Sequence, residues 1–266
     1  MKVGFVQTRP ELGNVRVNLD NAVNMINKVE ADLLVLPELF STGYFFPDKK
    51  SLFQLAEPIP ASRTVRTLKS LAKRKKCGLI FGMAEKHNSR CYNSSVYISP
   101  RGEVHLYRKL HLFYKEQLLF SPGNLKLRAF PFYEYKIGMM ICFDWIFPEV
   151  CRTLVLSGAN LICHPSNLVL HLCQDAMITR GVENWVFTIT ANRVGSETAA
   201  GEKLTFTGAS QITGLPNKVL VRAGKDRPAA KVVDIDLSES LNKNPTDLNG
   251  LMDDRRPEFY TRICRK

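Results

Sequence analysis

Short apolar runs rich in β-branched and aromatic residues alternate along this chain with longer stretches whose apolar residues recur at helical spacing. That alternation restricts the chain to a layered α/β fold. Residues 2–8 read as a strand, and a helix over about 15–29 places Val15, Leu19, Val23 and Ile26 on one face. Residues 32–36 form a continuous buried strand that Pro37 ends. The order repeats with a helix at 62–76 and a strand at 78–83. Residues 93–98 and 103–107 then read as a hairpin turning at 99–102. Strands are expected at 135–141, 160–163, 186–191, 209–213, 218–222 and 230–235, with a turn at 214–217. Helices are expected at 148–156, with Pro148 in the first turn, and at 175–184. So many strands in 266 residues imply two sheets with helices outside them.

A chain of this length is expected to form one domain around one core, 1–266, with 238–266 as a polar tail that packs on the body or on a partner subunit. The first residues run directly into the first strand without a basic, then apolar, leader. No run approaches the roughly 18 apolar residues of a membrane span. Seven cysteines, an odd number with no Cys-x-x-Cys pair, suit reduced thiols and a cytoplasmic setting. The formal charge of +12 raises the question of nucleic acid. However, the densest basic run, Lys73–Lys76, closes a helix, where cations complement the dipole, and no aromatic-plus-basic motif accompanies it. A solvated face explains these charges, and neither nucleic acid nor membrane is expected as a partner.

Three reactive residues share one local design. Glu38 follows Leu33-Leu34-Val35-Leu36-Pro37, Lys109 follows Val104-His105-Leu106-Tyr107-Arg108, and Cys142 follows Ile137-Gly138-Met139-Met140-Ile141. Each stands at the carboxyl end of an apolar strand, where α/β sheets build their sites. Taken singly, each has a plain explanation: a surface carboxylate, one lysine among many, an inert buried thiol. Their surroundings change that reading.

The segments Leu36-Pro37-Glu38-Leu39-Phe40, Tyr107-Arg108-Lys109-Leu110-His111-Leu112-Phe113 and Gly138-Met139-Met140-Ile141-Cys142-Phe143-Asp144-Trp145-Ile146-Phe147-Pro148-Glu149 resemble the three signature blocks of the nitrilase superfamily, in the family's order. His164-Pro165-Ser166-Asn167, Arg180-Gly181-Val182-Glu183-Asn184-Trp185, Ala191-Asn192-Arg193-Val194-Gly195 and Arg255-Arg256-Pro257-Glu258-Phe259-Tyr260 extend the similarity over nearly the whole chain. The resemblance implies a four-layer αββα sandwich of two mixed sheets with helices on the outer faces. It also implies a Glu-Lys-Cys triad at one end, and a homodimer or higher homo-oligomer.

It further implies a hydrolase of non-peptide carbon–nitrogen bonds that needs no metal or organic cofactor. Cys142 would attack, Glu38 would move the proton, and Lys109 with the Phe143 N–H would stabilise the oxyanion of a small-molecule amide. Glu116 resembles the family's second glutamate, which orients the lysine and substrate; its plain alternative is a solvated loop carboxylate. Tyr44, Phe143, Trp145, Asn167 and His171, just beyond strand ends, are the candidate pocket residues.

Rival constellations are weaker. Cys163, His164, His171 and Cys173 are good zinc ligand types, but their spacing matches no common module, so no metal site is expected. No histidine has a catalytic context like that of Glu38, and phosphate-binding glycine loops are absent. Among activities, a small aliphatic amide leads, with a nitrile attacked through a thioimidate as runner-up. An N-carbamoyl substrate comes next. Relatives acting on carbamoyl D-amino acids tend to carry arginines directly after the aspartate of the cysteine block, where this chain has Trp145 and Ile146. Acyl transfer to an amine and a non-catalytic scaffold stand further back.

Overall fold

Side-chain alternation decides the layering of this computed structural model, which describes residues 1–199, 201–216 and 218–264. In chain order the first half contains β1 (Lys2–Gln7), α1 (Val15–Asn27), β2 (Leu33–Val35), α2 (Lys49–Leu55), α3 (Arg63–Lys75), β3 (Gly78–His87), β4 (Arg90–Ile98), β5 (Val104–Arg108) and the short α4 (Glu116–Leu119). The second half contains β6 (Ala129–Phe132), β7 (Tyr135–Met139), a 3₁₀ turn (Cys142–Ile146), α5 (Pro148–Leu156), β8 (Leu161–Pro165), α6 (Cys173–Asn184) and β9 (Phe187–Ala191). A small hairpin β10 (Ser196–Ala199) and β11 (Glu202–Thr205) follows, and then β12 (Gln211–Gly214), β13 (Lys218–Arg222) and β14 (Ala229–Asp234).

Two six-stranded mixed sheets result, ordered β14-β1-β2-β3-β4-β5 and β13-β12-β9-β8-β7-β6. The centres are parallel, β1-β2-β3 in one and β7-β8-β9 in the other, and the flanking pairs are antiparallel. Val3, Phe5, Leu33, Val35 and Ile80 of the first sheet share a buried core with Ile137, Met139, Leu161 and Ile189 of the second. The alternate residues Val6, Leu34, Leu79 and Phe81 face outward and are covered by Leu19 and Ile26 of α1 and by Val65, Leu68 and Leu71 of α3. On the far side, α5 and α6 bury Val150, Leu154 and Met177. The four layers are therefore helix, sheet, sheet, helix, as the resemblance implied.

Local chemistry sets the element ends. Ser62 accepts a hydrogen bond from the Val65 N–H (3.0 Å) at the start of α3, and Pro148 opens α5. The 99–102 hairpin turn closes through Ser99 N–H to Glu103 O and Gly102 N–H to Ser99 O. Four features lay outside the sequence pattern. β6 contains Pro131, which punctuates a strand pattern but is tolerated here because β6 is a sheet edge. The two short helices α2 and α4 and the β10-β11 hairpin are the others. Asn217 of the expected 214–217 turn lies outside the described residues.

Part of the tail packs on the body. Ser240 accepts from Asn160 Nδ2 (3.1 Å), and Lys243 Nζ donates to the Trp185 carbonyl (2.9 Å). Beyond these contacts Leu248, Phe259 and Ile263 are exposed.

His164, on β8, is wholly buried on the face of its sheet that carries the Cys142 turn. Its Nε2 lies 2.9 Å from the Cys142 carbonyl and its Nδ1 lies 3.2 Å from Thr190 Oγ1 on β9. A carbonyl only accepts, so Nε2 carries the proton and Nδ1 receives the threonine hydroxyl's. Burial lowers this imidazole to about 4, with the Cys142 carbonyl only partly opposing the shift. A histidine depressed on folding contributes stability above its unfolded value of about 6.5, and that contribution falls away as pH drops towards 4. We therefore expect the protein to lose about 3 kcal/mol more stability between pH 7 and pH 4 than a His164→Gln variant, measured by urea unfolding at each pH. Parallel stability curves for the two proteins would contradict this account.

Candidate active site

The strand ends bring the three reactive residues together because glycines let backbone pass directly behind two of them. Glu38 leaves β2 after Pro37, and Gly82 on β3 lies against it so closely that a β-carbon there would stand 2.4 Å from Glu38 Cα. The paired strands continue this contact through Gly82 N–H to Pro37 O and Phe40 N–H to Gly82 O. Lys109 leaves β5 with its N–H donated to the Asn93 carbonyl (2.8 Å) and its carbonyl accepting from Gly123 N–H (2.8 Å). A β-carbon on Gly123 would lie 2.2 Å from the Arg108 carbonyl oxygen. The neighbouring Arg108 points to the opposite face, where it forks onto Glu85 (2.8 and 2.5 Å) and lies over the Tyr92 ring.

Cys142 sits where β7 breaks into the 3₁₀ turn, with φ of +41°. A non-glycine residue in this region costs roughly 1–3 kcal/mol and persists only where its surroundings hold it. Two groups do so. His164 donates to its carbonyl, as above, and Asp144 grips the loop from the other side. Asp144 Oδ2 accepts from Ile141 N–H (2.9 Å) and from the Tyr107 hydroxyl (2.7 Å), while Oδ1 meets the N–H (3.2 Å) and Nδ1 (2.8 Å) of His111. Tyr107 and His111 flank Lys109, so one carboxylate ties the sulfur-bearing turn to the lysine-bearing strand.

Lys109 Nζ donates to Glu38 Oε1 (2.7 Å) and to both oxygens of Glu116 (2.8 and 2.7 Å), all three side chains being buried. Asn93 Nδ2 adds a second bond to Glu38 Oε1 (2.6 Å), and Glu38 Oε2 has no partner in the protein. With one cation against two carboxylates, the cluster carries an excess negative charge if all three ionise. Burial pushes Glu116 up to about 7, with Lys109 opposing and Glu38 assisting. Burial works against the charge of Lys109, but Glu116 and Glu38 outweigh it and hold the ammonium above its ordinary value. Burial, and then the charge of Glu38, raises the Cys142 thiol well above its ordinary value; Lys109 and the Asn167 N–H draw it back only in part. The resting sulfur is therefore a thiol, and a nucleophile forms only if a base removes the proton as attack proceeds.

The sulfur opens onto a small cavity of about 20 Å³, lined by Cys142, Phe113, Phe143, Trp145, Asn167 and the 168–170 segment. Three of the five expected pocket residues, Phe143, Trp145 and Asn167, thus border it. Tyr44 is buried beside these three residues and Glu116: burial raises its hydroxyl, and the charges of Glu116, Glu38 and Cys142 raise it further. Its backbone N–H, with that of Phe45, is held by Glu197, whose other oxygen pairs with the buried Arg193. His171 lies elsewhere. It is exposed and borders a separate surface depression with Asp175 and Arg222, because the segment after Asn167 turns outward before α6 begins.

Asn93, Asp144 and His164 were not singled out as site residues from sequence. Asn93 belongs to the polar run Asn93-Ser94-Ser95 inside β4, which carries no signal of its own, and a partner just beyond β2 cannot be read from β4. Among the described residues, no three His, Cys, Asp or Glu groups converge as a metal site would require.

The carbon-nitrogen hydrolase family model matches residues 2–240. A protein of Pyrococcus abyssi named nitrilase is 42% identical over 265 residues, covering 98% of this chain and 100% of its own. An (R)-stereoselective amidase of a Pseudomonas species is 33% identical, covering 90% and 86%. The crystal structure of a carbon-nitrogen hydrolase from Helicobacter pylori superposes with a TM-score of 0.88 over 100% of this chain and 99% of that one, at 24% identity. The whole-length family match, together with a relative so similar over its full length, establishes that the chain belongs to the carbon-nitrogen hydrolase family.

Proposed function

We propose that this enzyme hydrolyses a small aliphatic amide through a thioester on Cys142. The observation that carries the reading is the geometry of Glu38, which acts electrostatically on the Cys142 thiol: one oxygen is fixed by Lys109 and Asn93, while the other is buried and unpartnered. That free oxygen takes the thiol proton as sulfur adds to the carbonyl carbon. The negative charge moves to the carbonyl oxygen, which meets the ammonium of Lys109 and the Phe143 N–H at the first turn after the nucleophile. Glu38 then passes its proton to the departing nitrogen as the carbon–nitrogen bond breaks. Water attacks the thioester, gives a proton to Glu38, and the acid leaves as sulfur recovers that proton. Because the proton shuttles within the cluster, the excess charge of the resting site never rises.

Glu116 is assigned to hold Lys109 by two bonds, and Tyr44 to border the substrate from the triad side. The apolar lining and small cavity support a short, uncharged acyl group. A nitrile is the second reading, favoured by the name of the Pyrococcus relative; the same sulfur would form a thioimidate.

The outer helices expose Leu156, Leu172 and Val182, and the tail exposes Leu248 and Phe259. These surfaces support a homodimer. Six described cysteines, 77, 91, 142, 151, 163 and 173, are free thiols, which supports a reducing compartment such as the cytoplasm. No described helix is long and apolar enough to cross a membrane.

Ammonia release from a panel of short amides and nitriles is expected to vanish in Cys142→Ala and to fall about 100-fold or more in Glu38→Gln, with the fold intact by circular dichroism. Undiminished rates in both would sink the reading. Gly82→Ala, which forces Glu38 backwards, is expected to lower kcat about 100-fold while the protein still folds. An alanine variant with normal kcat would show that this close approach does not set the position of the base. Light scattering after gel filtration should give twice the chain mass; a monomer at micromolar concentration would rule out the dimer.

A further inference from the structure

The cavity beside the sulfur contains one polar group with no partner. Asn167 is 2% exposed, and neither Nδ2 nor Oδ1 of its carboxamide is hydrogen-bonded within the protein. The backbone around it is firmly tied. Ser166 N–H donates to the Ala191 carbonyl (2.8 Å), Leu168 N–H donates to Asn192 Oδ1 (2.9 Å), and the Leu168 carbonyl accepts from Thr207 N–H (2.9 Å). Nearby Asn192 shows what this interior does with an amide that has only a structural role. Its Oδ1 accepts from Leu168 and its Nδ2 donates to Thr207 Oγ1 (3.1 Å) and the Gly208 carbonyl (2.7 Å). A buried amide left unpaired is destabilising, and an apolar residue would fill the same place without that cost. The missing partner is thus external, and it must both donate and accept.

We infer that Asn167 is a specificity residue that reads a neutral hydroxyl on the carbon next to the scissile carbonyl, making short 2-hydroxyamides the preferred substrate class. The inference rests on the amide-hydrolase reading above. Three observations narrow it. Asn167 and Cys142 line the same cavity, and a hydroxyl both donates and accepts, as the free carboxamide requires. The Asn167 N–H faces the Cys142 sulfur, so its side chain lies one short step from the carbon under attack. The rest of the lining, Phe113, Phe143, Trp145 and Leu168, supplies no counter-ion for a charged substituent, and the nearby charges are already paired with one another.

The test compares glycolamide with its isostere propionamide, which replaces the hydroxyl by a methyl group. The native enzyme is expected to prefer glycolamide at least about tenfold in kcat/KM, since a site with unpaired polar groups rejects the analogue that cannot satisfy them. Asn167→Leu is expected to bring that ratio to within threefold of one, and its thermal midpoint should not fall. A native ratio near one overturns the inference while leaving the amide-hydrolase reading intact, and so does an unchanged ratio in Asn167→Leu. Failure of the native enzyme to release ammonia from either compound in a Cys142-dependent manner overturns both. The native ratio alone decides the matter should the leucine variant not fold.

Discussion

One buried ammonium shared between two carboxylates organises this molecule. Lys109 comes from the edge of one sheet, Glu38 from its centre and Glu116 from a short helix beyond, and each would be costly to bury alone. Placed together they satisfy most of one another's bonding capacity, and among their carboxylate oxygens only Glu38 Oε2 is left without a partner. The chemistry proposed for the site uses that one opening. Burial, and then the imbalance of charge, keep the sulfur protonated at rest: a third anion in the cluster would face an existing excess.

The rest of the fold acts as support for this cluster. Gly82 and Gly123 remove the side chains that would separate Glu38 and Lys109 from the strands behind them. Asp144 bonds to both the loop of the nucleophile and the residues flanking the lysine, so the distance between sulfur and ammonium is fixed by a carboxylate that touches neither. His164 holds the strained carbonyl of Cys142 from the second sheet. These supports come from four separate strands or turns, which is why the site requires the whole sandwich rather than a single motif.

Sequence showed the layers and the reactive residues because both are written locally. Strand alternation, the Ser62 and Pro148 caps and the Ser99–Gly102 turn each depend on a few adjacent residues, and the structure places them within a few positions of expectation. The strand-end design singled out Glu38, Lys109 and Cys142, and the family resemblance supplied their joint meaning. Asn93 and Asp144 depend on pairing across long separations, 55 residues for Asn93 with Glu38 and 37 for Tyr107 with Asp144, and no local pattern encodes that. His171 shows the opposite error. Its position after a strand end resembled that of Asn167, but four residues of chain were enough to carry it out to the surface.

The pairing of Arg108 with Glu85, on the face opposite the site, has a consequence for the threading of β5. This strand is an edge, held on one side only, and edges slip register most easily. A slip of one residue would carry one of the two adjacent cations into the other's place, which one depending on its direction. In one direction the flat guanidinium would meet a cluster shaped for the three diverging donors of an ammonium, and in the other the lysine would face a carboxylate set to receive a two-pronged fork. Each cation thus serves as a key that fits only its own lock, and the threading in which both turn is the one that also delivers the site.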